Sequence, residues 1–414
     1  MQWLVIIVAF WSFLLKPVSD LPGVLGYLKY LPDGILLALL LLSLRNRTLV
    51  FRKEILPTLL LVVIFFVFCL TVYLFQYQSI AYFLWGFRNN FRFYIAFFVF
   101  ISCLDDTDVS TWFRTVDILF WINAVLSLVQ FFLLGFGGDF LGGIFGVSGA
   151  SNGFTLVFIS IVVGKSLLSA FDGKEAFGLS ILKCVVSIVV AAMAELKFYF
   201  FVFAILMVGA ALLTRFSAKK LVVLLVGFIA LMIGTVLIAE WFGSRDFLSM
   251  EQLWEFATKD SYSAEGDVNR LSAVSTLSER ILKHPVKQFF GLGLGNCDTS
   301  AFAVCNTPFY QKYGYLHYTW FTAAMSFLET GYLGLGMYIT FFIVCFLQAR
   351  KKLKMKVGNL LYLRLAILMT VLCLILIVYN ASLRTESAYM LYFVLATPFI
   401  CSDAVENADT KMAS

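Results

Sequence analysis

The sequence is short of charge. Only 14% of its 414 residues are Asp, Glu, Lys or Arg, against about a quarter in a soluble globular domain, which excludes an ordinary water-soluble fold. Histidine is scarcer still, with two in the chain, and no carboxylate–histidine cluster argues for a metal. The glycine run GLGLGN at 291–296 lacks the Gly-Lys-Ser/Thr ending of a P-loop and follows no clear strand, so it is no nucleotide fingerprint. The net charge of +6 does not mark a nucleic-acid binder either, because the positive residues cluster in short loops between apolar runs. The first apolar run has no basic stretch before it and no small-residue cleavage site after it, and reads as a retained helix.

What the chain has instead is apolar surface: 61% hydrophobic and 17% aromatic residues, with a mean hydropathy of +0.91. A bilayer crossing needs roughly 17–25 apolar residues. Runs near 3–16, 31–45, 55–75, 91–104, 112–134, 153–170, 178–195, 198–214, 221–239, 328–348, 359–379 and 386–401 supply about twelve candidates. The expected fold is all-α, a polytopic inner-membrane helical bundle. Lys and Arg concentrate after the second, eighth and tenth runs: Arg45, Arg47, Arg52 and Lys53; Arg215, Lys219 and Lys220; Arg350, Lys351, Lys352, Lys354 and Lys356. Such loops lie in the cytoplasm, which puts both termini inside. The organisation expected is membrane helices over 1–239, one large periplasmic loop with short helices over 240–327, further membrane helices over 328–401, and a cytoplasmic tail over 402–414.

That outer loop concentrates the chemistry. It holds both histidines, His284 and His317, and the cations Arg245, Arg270, Arg280, Lys283, Lys287 and Lys312, interleaved with Trp241, Trp254 and many Tyr and Phe residues. Leu271, Val274, Leu277, Ile281 and Leu282 recur at helical spacing, and His284-Pro285 should end that helix. Most of these charges suit a solvated helix face. Others sit at membrane boundaries: Glu195 and Lys197 in a tight turn, Arg88 and Arg92 heading the fourth run, Arg384 and Glu386 heading the twelfth. Ionisable groups there either face a polar cavity or one another, or snorkel to the interface. For Lys197, between Leu196 and Phe198, the cavity is favoured. The glycine run is a turn or, if it binds phosphate, it binds that of a membrane-bound lipid carrier. Six of the eight cysteines fall in or at the ends of apolar runs, as small hydrophobes do. Cys297 and Cys305 lie in the outer loop, where an oxidising compartment permits a disulfide and two free thiols are the alternative.

Four stretches together resemble the bacterial O-antigen polymerase and ligase family. GGIFGVSGASNG at 142–153 is similar to that family's G-x-F-G…N element. Asn269-Arg270, a short helix and HPVKQFFGLGLG at 284–295 are similar to its R…hP-x-x-G-x-G segment. HYTWFTAAMSFLETGYLG at 317–334 resembles its H-[NS]-x-x-L…E-x-G-x-x-G element, and Glu195-Leu196-Lys197 falls where many members have a Ser-Arg pair. The resemblance runs in consistent order and topology from about residue 88 to 335. Two positions depart: Tyr318 follows the histidine in place of Asn or Ser, which weakens the ligase branch, and Lys197 replaces an arginine, removing its bidentate fork.

The resemblance implies a metal- and cofactor-independent glycosyl transfer at the outer face of the inner membrane. Donor and acceptor would be glycans on undecaprenyl diphosphate, with a chain-length regulator as a candidate partner and no nucleic acid; in a ligase the acceptor is lipid A–core. Such a reaction needs cations on the departing diphosphate and a base for the acceptor hydroxyl. His317 is the candidate base, or else an interfacial anchor among its aromatic neighbours. Arg270, Arg280, Lys197, Arg88, Arg92, Arg384 and Glu195 are the candidate diphosphate and glycan contacts, joined by Gly291, Gly293 and Gly295 if their backbone N–H groups face the pyrophosphate. A flippase or other twelve-span carrier is the competing class. Carriers often show matching halves, and the two halves here show no convincing similarity.

Overall fold

The computed structural model describes residues 2–45, 54–76, 78–149, 151–214, 218–242, 266–300 and 302–401. Arg47, Arg52, Lys53, Arg215, Arg245, Trp254 and the 402–414 tail lie outside the described residues. Within the described residues there is no β-strand, only an isolated bridge at Val268. The apolar sequence dictates this, because in lipid every backbone N–H and C=O must find its partner within the chain, and a helix does so segment by segment.

The N-terminal helices α1 (Gln2–Ala9) and α2 (Trp11–Ser19) are bent by 74° to one another. After them come α3 (Leu31–Arg45), α4 (Leu56–Gln76), α5 (Ile80–Cys103), α6 (Asp106–Leu128), α7 (Ser151–Phe171), α8 (Phe177–Met193), α9 (Lys197–Leu213) and α10 (Ala218–Phe242). Short helices α11 (Ala273–Arg280), α12 (Pro285–Phe290) and α13 (Pro308–Tyr313) precede the long α14 (Thr322–Met355), then α15 (Leu360–Tyr379) and α16 (Ala388–Ile400). Seven helices among the described residues are long and apolar enough to cross a membrane, or eight if the bent pair is one span. This is a multi-pass membrane protein. Each of the twelve expected runs falls on helix, but α8, α9 and α16 have only 10–17 residues.

Burial sorts the helices. The most apolar stretch of α7 is 89% buried and that of α15 72%, whereas that of α4 is 22%. α7, α15 and the fully buried α16 form the centre, and α4 and α10 turn their apolar faces outward. One end of the bundle gathers Gln2, whose side chain donates to Asp108 (2.7 Å), and Lys352, which pairs with Glu54 (2.6 Å) and donates to the Pro398 carbonyl (3.0 Å). Arg364 pairs with Asp172 there at 2.7 Å. The sequence contains one Asp-x-Asp, Asp106-Thr107-Asp108, at this same end, and its role is a helix cap. The Asp105 carboxylate accepts the Thr107 and Asp108 N–H groups, while Asp108 accepts that of Asp105.

The other end carries the candidate site, and a broken helix shapes it. Gly331 in α14 has φ 66° and ψ −168°, which interrupts the ladder and frees the carbonyls just before it. The glycine run fills the gap: the Leu292 N–H donates to the Leu328 carbonyl (2.8 Å) and that of Gly293 to the Glu329 carbonyl (2.9 Å).

Candidate functional site

Twelve side chains that are scattered in sequence converge next to that break. Glu329 is fully buried. One carboxylate oxygen accepts the Gly295 N–H (2.9 Å), and the other accepts from Asn90 Nδ2 (3.0 Å) and Arg384 Nη1 (2.9 Å). Arg384 also donates to Asn90 Oδ1 (3.0 Å) and lies 3.7 Å from Asp298, which accepts from Asn89 (2.6 Å). Arg92 pairs with Glu386 (2.7 Å) and donates to the Arg384 carbonyl (3.0 Å). Arg88 pairs with Asp33 (2.8 Å), lies 3.7 Å from Glu386, and stacks its guanidinium on Tyr30 and Trp85. Ser12 on α2 donates to the Glu386 carbonyl at 2.6 Å. Burial works against charge on Glu386, yet Arg92 and Arg88 hold its carboxyl below the ordinary range.

This network decides between the two sequence readings of the boundary arginines. They face one another's carboxylates rather than snorkelling to the interface. Three guanidinium groups answer four carboxylates, so a phosphate arriving here would have to displace an ion pair already made. Arg88, Arg92 and Arg384 knit α3, α5, α14 and the 380–387 turn together, which is a different task from the diphosphate contact expected of them. Asp33, Asn90 and Asp298 went unseen in the sequence, although RNNFR at 88–92 is a conspicuously polar run inside an apolar helix.

The glycine run also departs from expectation. Gly291, Gly293 and Gly295 have φ of 75°, 91° and 75°, a region glycine enters freely. Their N–H groups, expected to meet pyrophosphate, donate instead to the Lys287 carbonyl, the Glu329 carbonyl and the Glu329 carboxylate. Gly295 packs directly on Tyr82 and Gly86 of α5, which leaves no room for a side chain. The run is a packing device that seals the α14 break. The disulfide considered for Cys297 and Cys305 is absent, since both are free, buried thiols. Burial, with Glu329 and Asp298 nearby, pushes the Cys297 thiol up, away from the thiolate that disulfide chemistry needs.

A second cluster is more open. Glu195 has a left-handed backbone (φ 51°), unusual for a non-glycine residue. Leu196 follows with φ −77° and ψ 64°, and the Lys197 N–H donates back to the Glu195 carbonyl at 2.8 Å, an inverse γ-turn. This turn brings Lys197 Nζ to 2.9 Å from the Glu195 carboxylate, with both side chains about a third exposed. Phe198 stacks on Tyr379 at 3.6 Å, and Arg270 lies over the same tyrosine at 4.4 Å. Asp139 joins them: burial and Glu195 raise its carboxyl, against the pull of Arg270, an Asn152 hydrogen bond and Lys197. Two of the motifs picked out in the sequence, Asn152 of 142–153 and Asn269-Arg270, therefore meet Glu195-Leu196-Lys197 here. Arg280 is exposed, at the last turn of α11.

His317 has a left-handed backbone as well (φ 52°) and stacks on Trp320 at 4.1 Å. The bridge from the Val268 N–H to the Leu316 carbonyl (3.0 Å) holds its segment against 267–270. That register sets Nδ1 of His317 3.6 Å from the buried carboxylate of Asp267, too long for a hydrogen bond. Asp267 was not anticipated, since nothing in the sequence links it to a residue fifty positions away. Tyr318 has its own role: its hydroxyl donates to the Cys297 carbonyl at 2.7 Å. His284 does not end the helix before it but caps the next one, with Nδ1 accepting the Val286 N–H at 3.3 Å ahead of Pro285.

No protein-family model matches the chain, and a search of curated proteins finds no match.

Proposed function

We propose that the protein is a membrane glycosyltransferase, a polysaccharide polymerase joining oligosaccharide repeat units carried on undecaprenyl diphosphate, as its motif resemblance implies. In this reading about twelve helices cross the bacterial inner membrane, both termini are cytoplasmic, and the His317 end faces the periplasm. The observation that carries it is the Asp267–His317 pair on the same short segment as Arg270. The 267–270 segment links the base and its supporting carboxylate to Arg270, a partly exposed cation of the cluster that holds Lys197, and these are the groups the reaction requires.

The chemistry divides among these residues. Arg270 and Lys197 hold the donor diphosphate and take up the charge that grows on it as the bond from the sugar C1 to the phosphate oxygen breaks. His317 removes the proton from the acceptor hydroxyl as its oxygen bonds to that C1. Asp267 stabilises the resulting imidazolium, as a carboxylate does for a catalytic histidine. Undecaprenyl diphosphate departs. General-base catalysis is worth roughly a hundred- to ten-thousand-fold. His317→Ala should therefore collapse the glycan ladder to lipid-linked single units at equal expression, while His284→Ala stays near wild type. A full ladder from His317→Ala would remove the histidine from catalysis.

A further inference from the structure

We infer that the cleft beside His317 is a saccharide subsite that takes a short stretch of uncharged sugar residues; this rests on the glycosyl-transfer reading above. The cleft encloses about 480 Å³ and is lined by Thr299, Asn306, Tyr310, Gln311, Tyr315 and His317. That volume falls within the range of ligand clefts, roughly 300–1,000 Å³.

The lining selects the ligand class. Apart from the imidazole it carries no ionisable cation or carboxylate, so it offers nothing to neutralise a diphosphate; the cations suited to that, Arg270 and Lys197, lie in the other cluster. It has no continuous apolar wall for a polyprenyl tail. It presents hydroxyls, two carboxamides and two tyrosine rings, a set that matches a ligand with many hydroxyls and apolar C–H faces. A pyranose is such a ligand. The Asn306 carboxamide oxygen already accepts from Thr299 Oγ1 (2.9 Å) and the Ser300 N–H (2.8 Å), which leaves its Nδ2 to donate. Tyr315 is 57% exposed, so its ring is available as a stacking face.

The walls are set before a ligand arrives. Thr307 caps α13 by accepting the Tyr310 N–H (3.1 Å) and donates to the Asp298 carbonyl (3.0 Å), and Trp320 fixes the imidazole plane. Walls already ordered lower the entropic cost of binding. Because His317 lines the cleft, a sugar seated there brings its hydroxyls to the proposed base.

The test uses full-length protein in nanodiscs and lipid-free oligosaccharides of one and of several repeat units, released by mild acid from the polysaccharide of the source cells. Binding should be saturable and unchanged between low and high salt, since no charge pair contributes. Tyr315→Ala and Gln311→Ala, both at exposed positions, should each weaken it by up to about tenfold and shorten the polymer made in cells. Preference for the longer oligosaccharide identifies the growing chain as occupant; equal binding of both lengths identifies the incoming unit. Wild-type affinity in both variants, binding that falls steeply with salt, or no saccharide binding by a protein that still makes polymer would each overturn the subsite and leave the polymerase reading standing. That reading fails separately, on a full ladder from His317→Ala.

Discussion

Replacing Glu329 by Gln should destabilise the protein far more than an isosteric change at a surface would. The carboxylate is fully buried and accepts three hydrogen bonds, from Gly295, Asn90 and Arg384. Gln keeps one oxygen for the Gly295 N–H but sets an amide against the guanidinium. Removing one partner of a buried ion pair costs about 3–5 kcal/mol, because the other charge is left without its counter-ion. Asp298 remains 3.7 Å from Arg384 and Asn90 3.0 Å away, so the lower end of that range is expected. Even this is a large share of the roughly 5–15 kcal/mol that holds a domain folded. Combining it with Arg384→Met, which removes the stranded charge, should recover part of the loss. The assay is the fraction of monodisperse protein surviving a temperature series in detergent, for wild type, both single variants and the double variant. A Glu329→Gln protein as heat-resistant as wild type, or a double variant whose loss is the sum of the two singles, would refute the claim that the pair is coupled.

Arg270→Ala should abolish long polymer while Arg280→Ala, on the exposed end of α11, leaves it nearly intact; glycan ladders at matched protein level decide, and equal loss from both would contradict the distinction drawn between them. Arg270→Lys should rescue only in part, because an ammonium cannot make two parallel hydrogen bonds to phosphate. A reporter active only outside the cytoplasm should be active when fused after Ser261 and silent after Lys356, and the reverse pattern would put the His317 end in the cytoplasm.

The helical course of the chain was legible in the sequence because it is local. Apolar runs of bilayer length determine helices wherever they occur, since lipid leaves the backbone no other way to satisfy its hydrogen bonds, and the expected runs fall on α1–α10 and α14–α16. The α11 helix was equally legible from its apolar spacing. The buried lysines were not. Lys165 and Lys183 meet Asp117 from two other helices, and Lys183 also pairs with Glu175 at 3.2 Å. A single charge in an apolar run does not say which neighbour answers it.

The sequence by itself determined the class of protein, the course of its helices and the segment in which the histidines, cations and aromatics gather. Only the tertiary structure decided which charges are occupied. Glu329 reaches Asn90 and Arg384 across three separate elements, and Arg92 reaches Glu386 from the far end of the chain, so the boundary arginines became struts, while Lys197 pairs with Glu195 in a partly exposed turn and Arg270 lies over Tyr379. The GLGLG run likewise took its role from a helix break at Gly331 that supplies carbonyls to its N–H groups. Periodicity is set by neighbours three or four residues away, whereas pairing is set by how helices pack, and that information is spread over the whole chain.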